Sequence, residues 1–330
     1  MKIRIIMEKK TIWVTWEHHR RTREICSALD IPLFEVCSDM ARLLRVPYLS
    51  WQTIKILLKE KAKVVYVQCP SIFLATLLIL IRPFFSFFLV VDQHNETVRP
   101  FNYQYGLYRA ICIFIIRNAD LNIVTNENLK NDIENKGGEA VVLHDKIPCF
   151  PDMPKRILGP GKNIVFICTY SPDEPFNEVF NAAALLPKDY ILHVTGNSKK
   201  IDIDGLSLPE NIRITGFLSE DDFLSLLISC DAIIDLTYMD DCLVCGAYEA
   251  VALGKPMMLT DTNILRNVFN KGVVYCQNNP ESIRYAVIEL FSKIDSMKVE
   301  VEKLKHEMMD AWMQQKAVLI DKVNSLGSLR

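Results

Sequence analysis

Three runs of this sequence carry side chains able to do chemistry. The first is Asp92-Gln93-His94-Asn95-Glu96, where a carboxylate precedes an imidazole by two residues at the end of an apolar stretch. Such a pair suits a general base, or two groups that orient a substrate hydroxyl. A helix N-cap with satisfied polar partners is the structural alternative. The second run is Glu17-His18-His19-Arg20-Arg21-Thr22-Arg23, with two imidazoles, a carboxylate and three guanidiniums where a helix opens. It offers proton transfer through Glu17 or His19, or contact with an anion, against the alternative of a solvated helix start. No GxGxxG accompanies it, so a dinucleotide fingerprint is absent.

The third run, residues 236–256, reads LTYMDDCLVCGAYEAVALGKP. It contains a strand, an acidic loop ending at Asp241, a small-residue turn and a helix with Glu249 in its first turn. Free amides at a helix N-terminus bind diphosphate, and a carboxylate on the same helix accepts hydrogen bonds from both hydroxyls of a ribose. Together these are chemistry for a nucleoside diphosphate. Thr169, Tyr170 and Ser171 add hydroxyls and amides before another helix, where a phosphate or a base makes contact, and Gly196 permits close approach of the backbone. Cys242 and Cys245 form a lone CxxC with no second pair at zinc spacing, so no metal site is expected.

Elements must hold these runs in place. Short β-branched or aromatic stretches at Ile12–Trp16, Leu33–Cys37, Val64–Gln68, Phe87–Val91, Leu121–Thr125 and Ala140–Leu143 alternate with helical patterns. After Lys146–Pro154 and Gly159-Pro160-Gly161, the best linker in the chain, the alternation restarts. Strands are predicted at Ile164–Cys168, Tyr190–Val194, Ile212–Thr215, Ala232–Leu236, Pro256–Leu259 and Val273–Cys276. Such βα alternation makes parallel sheets with helices on both faces, and ligands then bind beyond the carboxyl ends of the strands. The three runs all fall there. Domains are expected over 1–150 and 162–295, joined by a linker over 151–161. A final charged helix follows over 296–330, with Met297, Val301, Leu304, Met308 and Trp312 in one apolar stripe.

One window competes with this reading. Ser71–Val91 has Arg82 as its only charge and is long enough to span a bilayer. A span would place Arg82 and Pro83 near mid-bilayer, at a cost of about 2.5–3.5 kcal/mol for the arginine alone. The window reads better as a helix cut at Arg82-Pro83 and a buried strand ending before Asp92.

Charge divides unevenly. Residues 1–150 hold 20 Lys and Arg against 15 Asp and Glu; the remainder holds 18 against 25. The balance excludes a general nucleic-acid binder and makes the first half the one to meet an anionic surface. The ten cysteines sit mostly in apolar runs, as small core residues in a reducing compartment. No uninterrupted apolar run precedes Glu8-Lys9-Lys10, so no signal peptide is expected and the location expected is cytoplasmic.

At Asp241-x7-Glu249-Ala250 followed by Gly254-Lys255-Pro256, the sequence resembles the C-terminal domain of GT-B-fold glycosyltransferases, especially family-4-like enzymes of bacterial polysaccharide assembly. The likeness extends to Asn211–Phe217, Leu227–Leu236 and Thr260-Asp261. It implies an α/β, GT-B architecture: two Rossmann-like parallel-sheet domains facing a central cleft, with the C-terminal helix packing back. It also implies sugar transfer from a nucleotide-diphosphate sugar as co-substrate, without cofactor or metal. Glu249 would hold the donor ribose, while Gly246, Ala247 and Tyr248 would present amides to the diphosphate. Asp241 would lie near the sugar. Gly216, Phe217 and Leu218, with the Thr169–Ser171 loop, would approach the base or phosphates. His94 is similar to the histidine that meets the sugar, and Asp92 stands where a base would serve an inverting displacement. The first half would bind a glycan or lipid-linked acceptor, with peripheral contact at the inner membrane face through a helix over Trp51–Lys61. Two features depart from the pattern. Asp241 replaces a glutamate, and Asp173-Glu174-Pro175 stands where Arg and Lys usually neutralise the diphosphate, leaving Lys199, Lys200, Lys255 and Arg266 as candidates. A GT-B nucleotide-sugar epimerase and a catalytically silent nucleotide-sugar-binding module are the competing functions.

Overall fold

The computed structural model describes residues 9–69, 71–100, 106–202 and 208–328. The chain divides into two compact units. One takes the described residues up to Lys146 together with those from Ala311 onward; the other is Ile147–Asp310. The expected linker therefore lies within the second unit. Ser225 of a helix there donates to the Pro154 carbonyl at 2.8 Å, and the Arg156 guanidinium bonds Ser225 and Asp222, which ties the proline-rich segment down.

In the first unit the elements are β1 (Thr11–Thr15), α1 (Arg20–Leu29), β2 (Leu33–Glu35), α2 (Arg42–Glu60), β3 (Val64–Cys69), α3 (Ile72–Phe85), β4 (Phe88–Gln93), α4 (Asn95–Val98), α5 (Gly106–Asn118), β5 (Leu121–Val124), α6 (Glu127–Asn135) and β6 (Ala140–Val142). The strands pair in parallel in the order β2-β1-β3-β4-β5-β6. Strands β1, β3 and β4 are buried along their whole length, because helices cover both faces of the sheet and leave no solvent side for polar alternation.

The second unit holds β7 (Lys162–Phe166), α7 (Phe176–Ala184), β8 (Tyr190–Thr195), a 3-10 turn at Ser198–Lys200, β9 (Ile212–Gly216), α8 (Glu220–Ser229), β10 (Ala232–Asp235), α9 (Cys245–Ala252), β11 (Met257–Thr260), α10 (Asn263–Val268), β12 (Val273–Cys276) and α11 (Pro280–Ser292). Its parallel sheet runs β12-β11-β10-β7-β8-β9. Counted within the unit this is the 3-2-1-4-5-6 order of dinucleotide-binding folds, with the switch point between β7 and β10. Helix starts are set locally: Ser219, Thr262 and Asn279 each accept from an amide of the first turn, and Pro280 follows Asn279 where its missing N–H costs nothing.

The final helix, α12 (Ile294–Ser328), carries the expected stripe. Val301 and Leu304 are buried in the core of the second unit, while Trp312, Leu319, Ile320 and Val323 are buried in that of the first beside Trp13 and Ile25.

The Ser71–Val91 window is a helix and a strand, but its break lies elsewhere than expected. Helix α3 continues through Arg82-Pro83 to Phe85 and ends at Ser86 in the left-handed conformation, whose N–H bonds the Arg82 carbonyl. A proline in the last turn forfeits one helical bond, and Arg82 is held by the Asn118 carbonyl at 3.0 Å and Asp120 at 2.9 Å. Strand β4 then runs on to Gln93, so Asp92 lies inside the strand, paired with Gln68 and Ile123. Among the described residues no helix is long and apolar enough to cross a membrane.

Candidate functional site

In the first unit the strand order reverses between β1 and β3, and the residues at their carboxyl ends form one cluster. Asp92 is fully buried, and both its oxygens receive the Arg21 guanidinium, at 3.0 Å from Nε to Oδ2 and 3.0 Å from Nη2 to Oδ1. Arg21 comes from the first turn of α1 and also bonds the Leu143 carbonyl at 2.9 Å and the Asp145 carboxylate beyond β6. Burial opposes its charge, but Asp92 and Asp145 more than offset this and keep it protonated.

The two imidazoles stand beside this ion pair. The rings of His19 and His94 meet edge to face with centroids 5.1 Å apart. His94 Nε2 lies 3.1 Å from the Gln68 amide nitrogen, and the same Gln68 takes a 3.4 Å contact from Thr15. Burial lowers the pKa of both histidines, and the nearby Arg21 adds to it, while Asp92 and Asp145 act the other way. Both rings are therefore neutral at pH 7, the form that accepts a proton. Glu17 is exposed in the same loop; its backbone exchanges hydrogen bonds with the Thr15 hydroxyl, and its carboxylate acts on the cluster at a distance by raising the pKa of His19.

The position of Asp92 corrects the expectation of a base standing beyond the strand. A general base must reach the proton it removes, and this carboxylate is enclosed and occupied. Gln68 and Asp145 were not picked out from the sequence, and Arg21 was read only as one of three arginines in its run, for contact with an anion rather than for a buried pair with Asp92. Gln68 did leave a trace, as the one polar side chain in an otherwise apolar strand.

In the second unit a cavity of about 560 Å3 opens at the carboxyl ends of β7 and β8. Its lining includes Thr169, Gly196, Lys200, Phe217 and Leu218, so four of the predicted donor-site residues meet around one space. Phe217 is 84% exposed, an unusual position for a large aromatic side chain and a ready face for stacking. Gly196 has φ +106°, and a Cβ there would lie 2.2 Å from the Cys168 carbonyl oxygen, so only glycine lets β8 pass the loop after β7. Gly216 precedes Phe217 with φ +71°. Tyr170 lies in the same loop but turns its ring inward, buried and edge-on to Phe176. Ser171 is half-buried, its amide on Glu174.

Helix α9 starts at Cys245, so Glu249 falls in its second turn rather than its first; the side chain is buried. Asp241 is half-buried in the loop before it. Of the three amides expected to face a diphosphate, that of Gly246 is donated to Asp235 Oδ2 at 2.7 Å. The helix leaves its first four N–H groups, Val244 to Ala247, outside its own ladder. Tyr248 therefore begins the ladder, and its ring packs on Phe269 in the core. Of the three predicted amides, that leaves Ala247 as the donor at the helix end.

Asp235, at the end of β10, was not foreseen. Burial pushes its carboxyl up, the Gly246 amide opposes this, and Glu249, Glu174 and Asp173 add to the rise. Gly246 makes the contact possible, since a Cβ on it would lie 2.6 Å from both Asp235 Oδ2 and Ile167 Cδ1. Among the candidate cations, Lys255 bonds the Ile228 and Cys230 carbonyls and Arg266 pairs with Asp261. Lys200 lines the cavity, and its Nζ donates to the Thr169 carbonyl at 2.8 Å. Cys242 and Cys245 are not disulfide-bonded.

No family model matches this sequence, and no curated protein matches it. Solved structures do. Sucrose-phosphate synthase from Thermosynechococcus elongatus is similar at a TM-score of 0.74 and 13% identity, covering 97% of this chain and 100% of its own. Anabaena Alr3699/HepE, in complex with UDP and glucose, is similar at 0.72 and 12%, covering 95% of this chain and 100% of its own. A proposed UDP-N-acetylglucosamine 2-epimerase from Listeria monocytogenes reaches 0.54 and 16%, covering 88% of this chain and 82% of its own. The chain has the GT-B fold, two Rossmann-like parallel-sheet domains.

Proposed function

We propose that the chain is a glycosyltransferase that moves a sugar from a nucleotide-diphosphate sugar to an acceptor hydroxyl. The observation that carries this reading is the cavity of about 560 Å3 at the carboxyl ends of β7 and β8, lined by Thr169, Gly196, Lys200 and Phe217, in the same parallel-sheet unit as the buried Glu249 carboxylate on α9. The complex of the similar Anabaena protein with UDP and glucose supports a uridine nucleotide. In this reading the base stacks on Phe217, Glu249 accepts hydrogen bonds from the ribose, and Lys200 and the Ala247 amide meet the diphosphate. Asp241 contacts the sugar.

The first unit holds the acceptor. The acceptor oxygen bonds to the anomeric carbon while the bond from that carbon to the diphosphate breaks. The nucleoside diphosphate leaves with the electron pair, and the acceptor proton passes to His19, the less enclosed of the two neutral imidazoles. His94 contacts the sugar, and Asp92 acts through Arg21 to position both rings. Stabilising the charge on the leaving diphosphate is the main catalytic requirement, and it needs no metal here. The acceptor is a glycan or a lipid-linked glycan, met by peripheral contact at the cytoplasmic membrane face.

Glu249→Ala should abolish transfer, and UDP binding with it, while leaving the thermal transition in place. Turnover within about threefold of the parent would remove Glu249 from the ribose and the donor from this pocket. The similarity to an epimerase gives a second reading weight, and an acceptor-free incubation separates the two. An epimerase converts UDP-N-acetylglucosamine without acceptor, whereas a transferase requires one. Absence of both product and nucleotide release with every donor would leave a silent binding module.

A further inference from the structure

The loop between β7 and α7 is where a sheet of this order offers amides to a phosphate. Here those amides are already taken. The Glu174 carboxylate accepts from the Thr169 amide at 2.9 Å, the Ser171 amide at 3.0 Å and the Thr169 hydroxyl at 3.0 Å, and the Cys168 thiol lies 3.3 Å away. Tyr170, between the two amides, is left-handed at φ +56°, and this turn of the backbone makes its neighbours' N–H groups converge on one point. Successive amides arranged in this way form a nest for an anion. A non-glycine residue adopts that conformation at a cost, offset here by the bonds to one carboxylate and by burial of the Tyr170 ring against Phe176.

The same substitution recurs at α9, where the Asp235 carboxylate takes the Gly246 amide at 2.7 Å. Three amides suited to a diphosphate, two in the loop after β7 and one at the start of α9, thus donate to carboxylates of the chain itself. Glu174 thereby occupies the Thr169 and Ser171 amides that an incoming phosphate would otherwise take.

We propose that Glu174 is the permanent internal ligand of the β7–α7 loop, a positioning residue that sets the wall of the nucleotide pocket before the donor arrives and keeps the donor's diphosphate out of the nest. The proposal rests on the reading of the pocket as a nucleotide site. The loop so fixed presents the Thr169 carbonyl to Lys200, and the diphosphate charge is met there, outside the nest. Glu174 supplies permanently what a bound phosphate would supply only on binding.

The test uses the full chain with the isosteric Glu174→Gln variant. Two quantities are read: exchange of the Thr169 and Ser171 amide hydrogens without nucleotide, and affinity for uridine and for UDP by calorimetry. Gln keeps one acceptor oxygen and turns an amino group toward the nest, so both amides should exchange faster by about tenfold or more. Uridine and UDP should weaken by the same factor, since the wall they share is loosened and the diphosphate loses no partner. Amides of β7 in the same spectra report whether the variant is folded. Unchanged exchange at both loop amides overturns the proposal. So does a variant that binds UDP more tightly than the parent while uridine is unchanged, which would make Glu174 a plug in the diphosphate's own place. If the parent chain binds neither uridine nor UDP, the nucleotide reading fails, and the exchange rates alone decide whether Glu174 holds the loop.

Discussion

At the scale of single residues, the first unit keeps one guanidinium between two carboxylates and surrounds the group with imidazoles that are slow to take a proton. His94 is lowered chiefly by burial, with Arg21 and His19 adding to it; His19 and His144 are lowered by burial and by Arg21. In the unfolded chain these rings titrate near the ordinary value of about 6.5. Between that value and their lower folded values the unfolded state binds more protons, so stability rises with pH and is lost as pH falls below about 6.5. Glu35 and Asp261, whose folded values are depressed by ion pairs with Arg23 and Arg266, lose their contribution only in the more acidic carboxylate range. Urea unfolding at about pH 7.5, 6.5 and 5.5 should therefore show a falling midpoint before Glu35 or Asp261 takes up a proton. His94→Asn should flatten that fall. A midpoint that holds steady to the lowest of these pH values would mean that the rings are charged in the folded protein. If His19 is the proposed base, transfer should decline as pH falls through its lowered value, because a protonated imidazole cannot accept the acceptor's proton.

At the scale of elements, α9 can sit where it does because its second residue has no side chain. Alanine at Gly246 gains about 1 kcal/mol of helix propensity, and nothing in the backbone forbids it. The methyl would nonetheless fall 2.6 Å from Asp235 Oδ2 and Ile167 Cδ1, so the helix start or the carboxylate must move. Overpacking of this kind costs about 1–3 kcal/mol and outweighs the propensity. Gly246→Ala should thus lower the unfolding midpoint and weaken UDP binding together. Gly216→Ala meets nothing within 4 Å and pays only for its positive φ, so it should cost less. Strands were the elements most legible in the sequence, because a strand buried on both faces reads as an unbroken apolar run, and every expected strand is present. The misjudged boundaries share a cause. Asp92 looked like the end of β4, since the Arg21 that makes it tolerable inside the strand lies 71 residues away in sequence and leaves no local sign. Arg82-Pro83 looked like a helix stop because the carbonyl and carboxylate holding Arg82 belong to the end of α5 and the turn before β5, 36 and 38 residues away. The pocket residues were readable from their place just past strands. Asp235 and Glu174 were not, because a carboxylate bonded to amides of its own chain has the same sequence signature as one facing solvent.

At the scale of the whole molecule, the uneven charge of the sequence corresponds to a surface in the first unit. Helix α3 packs against α2 and α5, and the three helices carry seven Arg and Lys but only one acid, Glu60. Large apolar side chains stand out from the same helices: Leu43 at 89% exposure, Leu44, Trp51 and Leu58 on α2, Phe84 at 84% on α3, and Leu107 on α5. Exposed apolar surface on this scale is costly in water unless something covers it, and cations around it favour an anionic bilayer surface. Trp51 already carries Lys55 over its ring, with Nζ 5.2 Å from the centroid, so an apolar body and a charge are presented together. Co-sedimentation should find the chain on vesicles with about 30% phosphatidylglycerol and not on pure phosphatidylcholine, and added salt should release it. Leu43→Glu with Leu44→Glu replaces two side chains that pack on little, so the fold should survive while vesicle affinity falls by about tenfold or more. UDP affinity should stay the same in that variant, because the cavity proposed to take the nucleotide is lined by the second unit. Equal binding to neutral vesicles would take away the role of the cations. No binding to either would return these helices to the status of an uncovered surface, and the acceptor would then be one that reaches the enzyme through water.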